Sequence, residues 1–260
     1  MPDPVIATID YVAPMTVMPV SAPVPARNKM KYDRREMPIR DGHAIPGGAR
    51  LETHGFACLT HSMSPIDLDD SSEWKERFTE EATAFIREMT GATDVVTRSV
   101  APRSTRYRDS SGTIDFAHND YTGASIGSFI AEIDPDRAEE RLAKRFAVYN
   151  LWRLLSPPPQ NRPLAVCDAT SLAGADVIPS QTYTYGENYY QNALFRYNPA
   201  HRWYYYPNMR TDEMLVWAAY DSDPRFPSLV PHVAFEDPNC TDPAAYRSNI
   251  DARVFVFYDS

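Results

Sequence analysis

The chain has 260 residues, 43% of them hydrophobic, and a formal charge of −9. That is enough apolar material for one sizeable core rather than a disordered chain, and the acidic balance repels a phosphate backbone, so no nucleic-acid partner is expected. No apolar run approaches the ~18 residues of a membrane span, and Asp3 and Asp10 stand where a signal peptide would be basic, so a cytoplasmic protein without a membrane partner is expected.

The 23 prolines interrupt the chain too often for a helix bundle, while 16 tyrosines suit strands and pocket walls. Residues 1–50 read as an extended arm packed on the domain, with one short strand from Ile6 to Val12 and prolines at 14, 19, 23 and 25. Residues 51–61 read as a strand pair broken at Gly55. A helix follows, capped by Asp70, Ser71 or Ser72. Its apolar face is Trp74, Phe78, Ala82, Phe85, Ile86 and Met89, and it ends at Gly91. A second, charged surface helix starts at Asp134-Pro135 and runs to about Arg145. From there the pattern is strands: Phe146 to Trp152, Leu164 to Asp168, two around Gly186 within 182–197, Arg202 to Tyr206, Glu213 to Tyr220, His232 to Phe235, and Ile250 to Tyr258. Turn signals such as Asn198-Pro199 and Asp237-Pro238 separate them. Short strands at this spacing predict a β-sandwich or barrel with flanking helices, forming one domain over residues 51–260.

Cys58, Cys167 and Cys240 are odd in number and form no CxxC pair, which predicts reduced thiols rather than a disulfide framework or a cysteine metal site. Of the six histidines, only His118 opens an H-x-[DE] tripeptide, His118-Asn119-Asp120. Residues i and i+2 of a strand share a face, so both side chains can reach one ion. His232, opening the apolar segment Val233-Ala234-Phe235, offers a third ligand. Two imidazoles and a carboxylate on one triangular face suit Fe(II) and leave the opposite face open. The competing reading makes His118 a surface residue and His232 a hydrogen-bonded core residue. Fe(II) oxygenases that use 2-oxoglutarate place an arginine a short distance past the distal histidine, where its planar fork binds the co-substrate carboxylate. Arg247 and Arg253 both qualify, and with Asn249 they share strand parity. Asn150 and Arg153 lie on a strand that can line the pocket. His201 reads as a structural hydrogen-bonding residue. Asp168 reads equally as a partner of a ligand histidine or as a turn residue. Arg202 to Tyr206 reads as a packed strand rather than a base-stacking platform.

With these residues in view, the sequence resembles the AsaB/CmcJ-like fungal hydroxylase/desaturase family. The matching blocks include His54-Gly55-Phe56, His118-Asn119-Asp120, Tyr149-Asn150-Leu151-Trp152-Arg153 and Pro163 to Ala169. Tyr197 to Tyr205, Asp212 to Leu215, Tyr220 to Ser222, Pro231 to Phe235 and Arg247 to Arg253 follow in order. The resemblance implies a double-stranded β-helix, a jelly-roll or cupin-like core. It also implies non-haem Fe(II) with 2-oxoglutarate and O2 as co-substrates, and secondary-metabolite chemistry: hydroxylation, desaturation or oxidative cyclisation of a small, amino-acid-derived molecule. The ligands would be His118, Asp120 and His232, with Arg247, Asn249, Arg253 and Asn150 on the co-substrate, and Tyr121, Arg153 and Tyr205 toward the substrate. Tyr121-Thr122 departs from the family's Gln-Ser or Gln-Thr and brings a phenol beside the metal. Arg247-Ser248-Asn249 departs from its R-x-S.

Two rivals use the same residues: a metal-dependent hydrolase on the same triad, since zinc also accepts two His and a carboxylate, and a non-catalytic β-barrel binding protein. A Gly-rich strand–turn–helix for S-adenosylmethionine is absent, which argues against a methyltransferase. A homo-oligomeric assembly is left open.

Overall fold

The first sheet begins with β1 (Val5–Val12) and β2 (Tyr32–Asp41), paired antiparallel along their length. In β1 the odd positions Val5, Ala7, Ile9 and Tyr11 are buried while Ile6 and Thr8 face out, the period of a half-buried strand. The computed structural model describes every residue except 1–2, 15–29, 63, 67, 69–72, 106–112, 184–188, 243 and 260. After these strands come β3 (Phe56–Thr60), β4 (Asp94–Ser104), β5 (His118–Asn119), β6 (Phe146–Leu154) and β7 (Leu164–Cys167). The chain continues with β8 (Val177–Tyr183), β9 (Tyr189–Phe195), β10 (Trp203–Tyr205), β11 (Glu213–Asp221), β12 (His232–Ala234) and β13 (Ser248–Phe257).

They form an eight-stranded sheet, β1-β2-β10-β7-β12-β5-β9-β8, and a five-stranded sheet, β3-β11-β6-β13-β4. Every pairing is antiparallel except β2 with β10. β6 is buried at all nine positions because it lies at the centre of the smaller sheet with both faces covered. Its outer cover is helix α2 (Glu73–Thr90), which packs on β4 and β13. Phe78, Ala82, Phe85 and Ile86 meet Ile250, Ala252, Val254 and Val256, the even positions of β13, in one apolar cluster. Burying each large side chain of that helix face contributes about 1.5–3 kcal/mol. The odd positions of β13 then point inward, toward the eight-stranded sheet. Hydrogen bonds from Asn150 and Arg253 to Asp120 join the two sheets across this interior.

Several elements differ from the expectation. Residues 51–54 are a helical turn, α1 (Leu51–His54), and only β3 of the expected strand pair forms. Gly55 closes the turn at φ 80, where a Cβ would meet Val230 Cγ2 at 2.5 Å, so a glycine is needed there on two counts. The expected arm contributes more than one strand, since β2 bridges β1 to β10. The prolines at 19, 23 and 25, the caps at 70–72 and the turn at Gly186 lie outside the described residues. Helix α3 (Gly123–Ile133) was not anticipated. Its first turn is held by a capping box, in which Ser125 Oγ accepts from the Thr122 N–H. The helix expected from Asp134 is a 3-10 turn, Pro135–Arg137, leading into α4 (Ala138–Ala143). The Asp134 carboxylate accepts from Arg141 Nε at 2.9 Å instead of capping the turn. Among the described residues no helix is long and apolar enough to cross a membrane, and Cys58, Cys167 and Cys240 are free thiols.

Candidate metal and co-substrate site

β5 is two residues long, and its first residue, His118, pairs directly with His232 of β12. That register puts the two imidazoles side by side, with ring centroids 4.2 Å apart. Asp120 lies just past the end of β5, two positions from His118. The three residues are buried, and each offers a ligand atom within 4.8 Å of the others. Oδ1 of Asp120 is 3.9 Å from His118 Nε2, too far for a hydrogen bond.

The surroundings fix which atoms stay free. His118 Nδ1 lies 2.9 Å from the Phe116 carbonyl, to which it donates, so Nε2 faces the cluster with its lone pair. Asp120 Oδ2 accepts from Asn150 Nδ2 and from Arg253 Nε, both at 2.8 Å, which leaves Oδ1 toward the histidines. Burial alone would raise the Asp120 carboxyl, but the Arg253 guanidinium holds it far below the usual carboxylate range. Burial keeps His118 and His232 neutral by lowering both imidazoles, and His118 beside it lowers His232 further. Two neutral imidazoles and an ionised carboxylate are the protonation states metal binding needs. Nδ1 of His232 is also buried without a hydrogen-bond partner. A divalent cation fits this donor set, and the 2-His-1-carboxylate composition suits Fe(II).

The cluster opens into a cavity of about 400 Å³, counting the space at its mouth. His118, His232, Asn150 and Arg253 line it, and Trp152, Trp217 and Arg247 form further walls. Arg247 is 3% exposed; one N–H group donates to the Arg162 carbonyl at 2.8 Å, while Nε has no partner. Burial lowers its pKa to about 10, so it remains a cation at neutral pH. A buried cation with an open fork on the same cavity as the metal ligands is built to receive a carboxylate. Arg253 is engaged already: besides Asp120 it bonds Asp251 Oδ2 at 3.2 Å. Arg103 holds the other Asp251 oxygen at 2.9 Å.

The expected residues separate into two groups. His118, Asp120, His232, Asn150, Arg247 and Arg253 come together. Asn249 is fully buried on the same strand face, with neither amide atom partnered, but it does not line the cavity. Tyr121 is buried in the apolar cluster under α3, edge-on to Phe129 and Phe255, and its hydroxyl has no partner. The structure corrects two substrate residues. Arg153 is three positions from Asn150 on one strand and so faces the other way; it bonds the Thr211 and Ser64 carbonyls. Tyr205 packs edge-on to Phe235 at 5.3 Å and borders a separate hollow with Pro159 and Asp237. Asp168 is a turn residue that caps Thr170 and binds Arg202. His201 is structural, set between Tyr11 and Asp176. Arg103, Asp251, Trp152 and Trp217 were missed as cavity residues. Parity with Arg247 and Arg253 could have found Asp251, and parity with Asn150 could have found Trp152.

The family described as an oxidoreductase/YMDC permease-like domain matches residues 8–257. The chain belongs to this family. Among its relatives, the Fe(II)/2-oxoglutarate-dependent dioxygenase nvfI of Aspergillus novofumigatus is 26% identical over 247 residues, covering 90% of this chain and 88% of that protein. The hydroxylase/desaturase efuI of Hormonema carpetanum is 29% identical over 259 residues, covering 89% and 86%. A solved structure of the iron and alpha-ketoglutarate-dependent endoperoxidase NvfI superposes with a TM-score of 0.88 at 25% identity over 97% of both chains. A second, in a different conformation, gives 0.90 at 24% identity over 99% of this chain and 98% of that one. These relatives are fungal hydroxylase/desaturases and dioxygenases of the kind the sequence resembles, and the chain shares their cupin-like, jelly-roll core. It is an oxidoreductase of the Fe(II)/2-oxoglutarate-dependent dioxygenase class, whose cofactor is Fe(II) and whose co-substrates are 2-oxoglutarate and O2.

Proposed function

We propose that His118, Asp120 and His232 hold the Fe(II), that Arg247 receives the distal carboxylate of 2-oxoglutarate, and that a small organic molecule is oxidised in the remaining space. Its hydroxylation, desaturation or oxidative ring closure are the outcomes expected, and an amino-acid-derived metabolite is the substrate class. The observation that carries this reading is the division of labour between two arginines on one strand. Arg253 is committed to Asp120 and Asp251, whereas Arg247 keeps an unpartnered N–H on the cavity.

Bound Fe(II) supplies O2 activation coupled to the oxidative decarboxylation of 2-oxoglutarate to succinate and CO2. The protein's own groups do the rest. The Phe116 carbonyl sets the tautomer of His118, and Asn150 and Arg253 hold one oxygen of Asp120 so that the other stays presented. Arg247 orients the co-substrate by a charge-assisted contact. Trp152 and Trp217 form apolar walls that exclude water and confine the substrate. Placement within those walls selects the outcome, because a displacement of about 1 Å alters rates strongly.

The test is an anaerobic titration with Fe(II) and 2-oxoglutarate, watched for the visible charge-transfer band of the chelate, followed by O2 and a succinate assay with amino-acid-derived compounds. A band that vanishes in His232→Ala is expected. No band and no O2-dependent succinate would overturn the reading and favour a hydrolase on the same triad.

A further inference from the structure

Across the inner face of the five-stranded sheet, Trp217, Asn150 and Arg253 stand in one row. Trp217 pairs with Asn150 between β11 and β6, and Arg253 pairs with Asn150 between β13 and β6. All three line the cavity. Arg253 is satisfied, but the other two each leave one polar atom without a partner. Asn150 is 3% exposed; its Nδ2 donates to Asp120 and its Oδ1 is unpartnered. Trp217 is 2% exposed and its Nε1–H is unpartnered. The Trp217 ring also lies against His232, with centroids 4.7 Å apart, and the Asn150 amide bonds Asp120, so both side chains border the metal cluster.

The orientation of Asn150 is not free. Turning the amide over would set its oxygen against the Asp120 carboxylate, so the nitrogen must face Asp120 and the oxygen must face away. The sheet thus presents one buried acceptor and, on the neighbouring strand, one buried donor. Buried polar atoms without partners cost stability unless a ligand meets them. Directly opposed side chains in a sheet have Cβ atoms about 5 Å apart, close enough for both to reach one small ligand.

We propose that Asn150 Oδ1 and Trp217 Nε1 form a substrate subsite that reads the edge of a cis secondary amide, as in a lactam or cyclic dipeptide. The ligand N–H donates to Asn150 and the ligand C=O accepts from Trp217. This deepens the proposed function, on which it rests, by naming the group that would anchor the substrate beside the metal. It also predicts discrimination, since a site with buried polar atoms rejects analogues that leave those atoms unpaired far more strongly than an apolar pocket rejects a change of size.

The test uses the full chain loaded with Zn(II) and 2-oxoglutarate, so that binding is read by calorimetry without turnover. The probes are a benzyl-substituted 2,5-diketopiperazine, its N,N′-dimethyl counterpart and a benzyl-substituted cyclohexanol. The diketopiperazine should bind the wild type at least roughly tenfold more tightly than the dimethyl compound, and Trp217→Phe should weaken it by a similar factor. Equal affinity for the diketopiperazine and its dimethyl form, or tighter binding of the cyclohexanol, would overturn the proposal. The N-methyl comparison is made on the wild type and so survives any failure of the variant to fold. The Fe(II)/2-oxoglutarate band is recorded on the same preparation. A normal band with no amide preference sinks the subsite alone, whereas a missing band sinks the reading beneath it.

Discussion

Asp120 concentrates the electrostatics of the site. Its Oδ2 has two donors, one of them the Arg253 guanidinium at 2.8 Å. Replacing Arg253 with methionine removes the charge that holds the carboxyl low, and such supporting contacts are worth roughly 10–100-fold in metal affinity. A Co(II) titration of R253M should weaken by that factor, whereas R247M should leave metal binding close to wild type and weaken anaerobic 2-oxoglutarate binding by roughly ten- to a hundredfold. If R253M instead abolishes co-substrate binding and leaves the metal untouched, the roles of the two arginines are reversed. The histidines give a pH signature in the metal-free protein. His118, His201 and His232 all sit below the ordinary value of 6.5, each chiefly through burial. In that window the unfolded chain takes up protons that the folded chain refuses, so stability must fall as pH drops below about 6.5. Each such imidazole costs up to about 1.4 kcal/mol per pH unit until its folded value is reached. Urea unfolding at pH 7.5 and 5.5 without metal should show the loss, and unchanged midpoints would contradict it. Asp120 adds to the loss only below about pH 4, where the unfolded carboxylate begins to take up a proton, and its contribution then drains away until its own depressed value is reached.

At the level of elements, the strands after residue 146 were legible because each is an apolar run closed by a proline or Asx turn, and the observed β6, β7, β10, β11, β12 and β13 fall on the expected segments. α2 was legible from its apolar stripe. α3 was not, because Gly123, Ser125, Gly127 and Ser128 make it a poor helix on intrinsic preference, and Tyr121, Phe129 and Phe255 packed together hold it in place. β4 escaped notice although Val95, Val96, Thr97 and Val100 favour a strand, because Arg98, Pro102 and Arg103 interrupt the apolar run. The candidate ligands could be read because strand parity and residue chemistry point the same way. Arg103 could not, because it follows Pro102 at the interrupted end of β4 and has no strand parity with the other candidates to mark it. The Gly55 turn offers a direct check on local geometry. Gly55→Ala meets both a positive φ and the Val230 side chain, so urea denaturation should show a loss of about 1–3 kcal/mol. A neutral result would mean the α1–β3 corner can rearrange at little cost.

In the molecule as a whole, the candidate metal ligands belong to the eight-stranded sheet and their supports to the five-stranded one. β5 and β12 span only His118–Asn119 and His232–Ala234, so the backbone ladder between them is minimal. A cation shared by His118, Asp120 and His232 would tie them together and, through Asn150 and Arg253, fasten one sheet to the other. Saturating metal should therefore raise the unfolding midpoint. At a free concentration a hundredfold above the dissociation constant the gain is about 2.7 kcal/mol, readable as a shift in thermal denaturation that EDTA reverses.

The carboxylate of Asp251 takes a guanidinium on each oxygen, Arg103 on one side and Arg253 on the other. Arg103 on the far wall of the cavity and the candidate ligand Asp120 are thus linked through two side chains, Asp251 and Arg253. Exchanging Arg103 for a neutral residue to admit a bulkier guest would free Asp251 to pull Arg253 away from Asp120. Enlarging the chamber and retaining the iron are therefore opposed demands, and a re-engineered catalyst with a changed residue 103 will need a compensating change at residue 251.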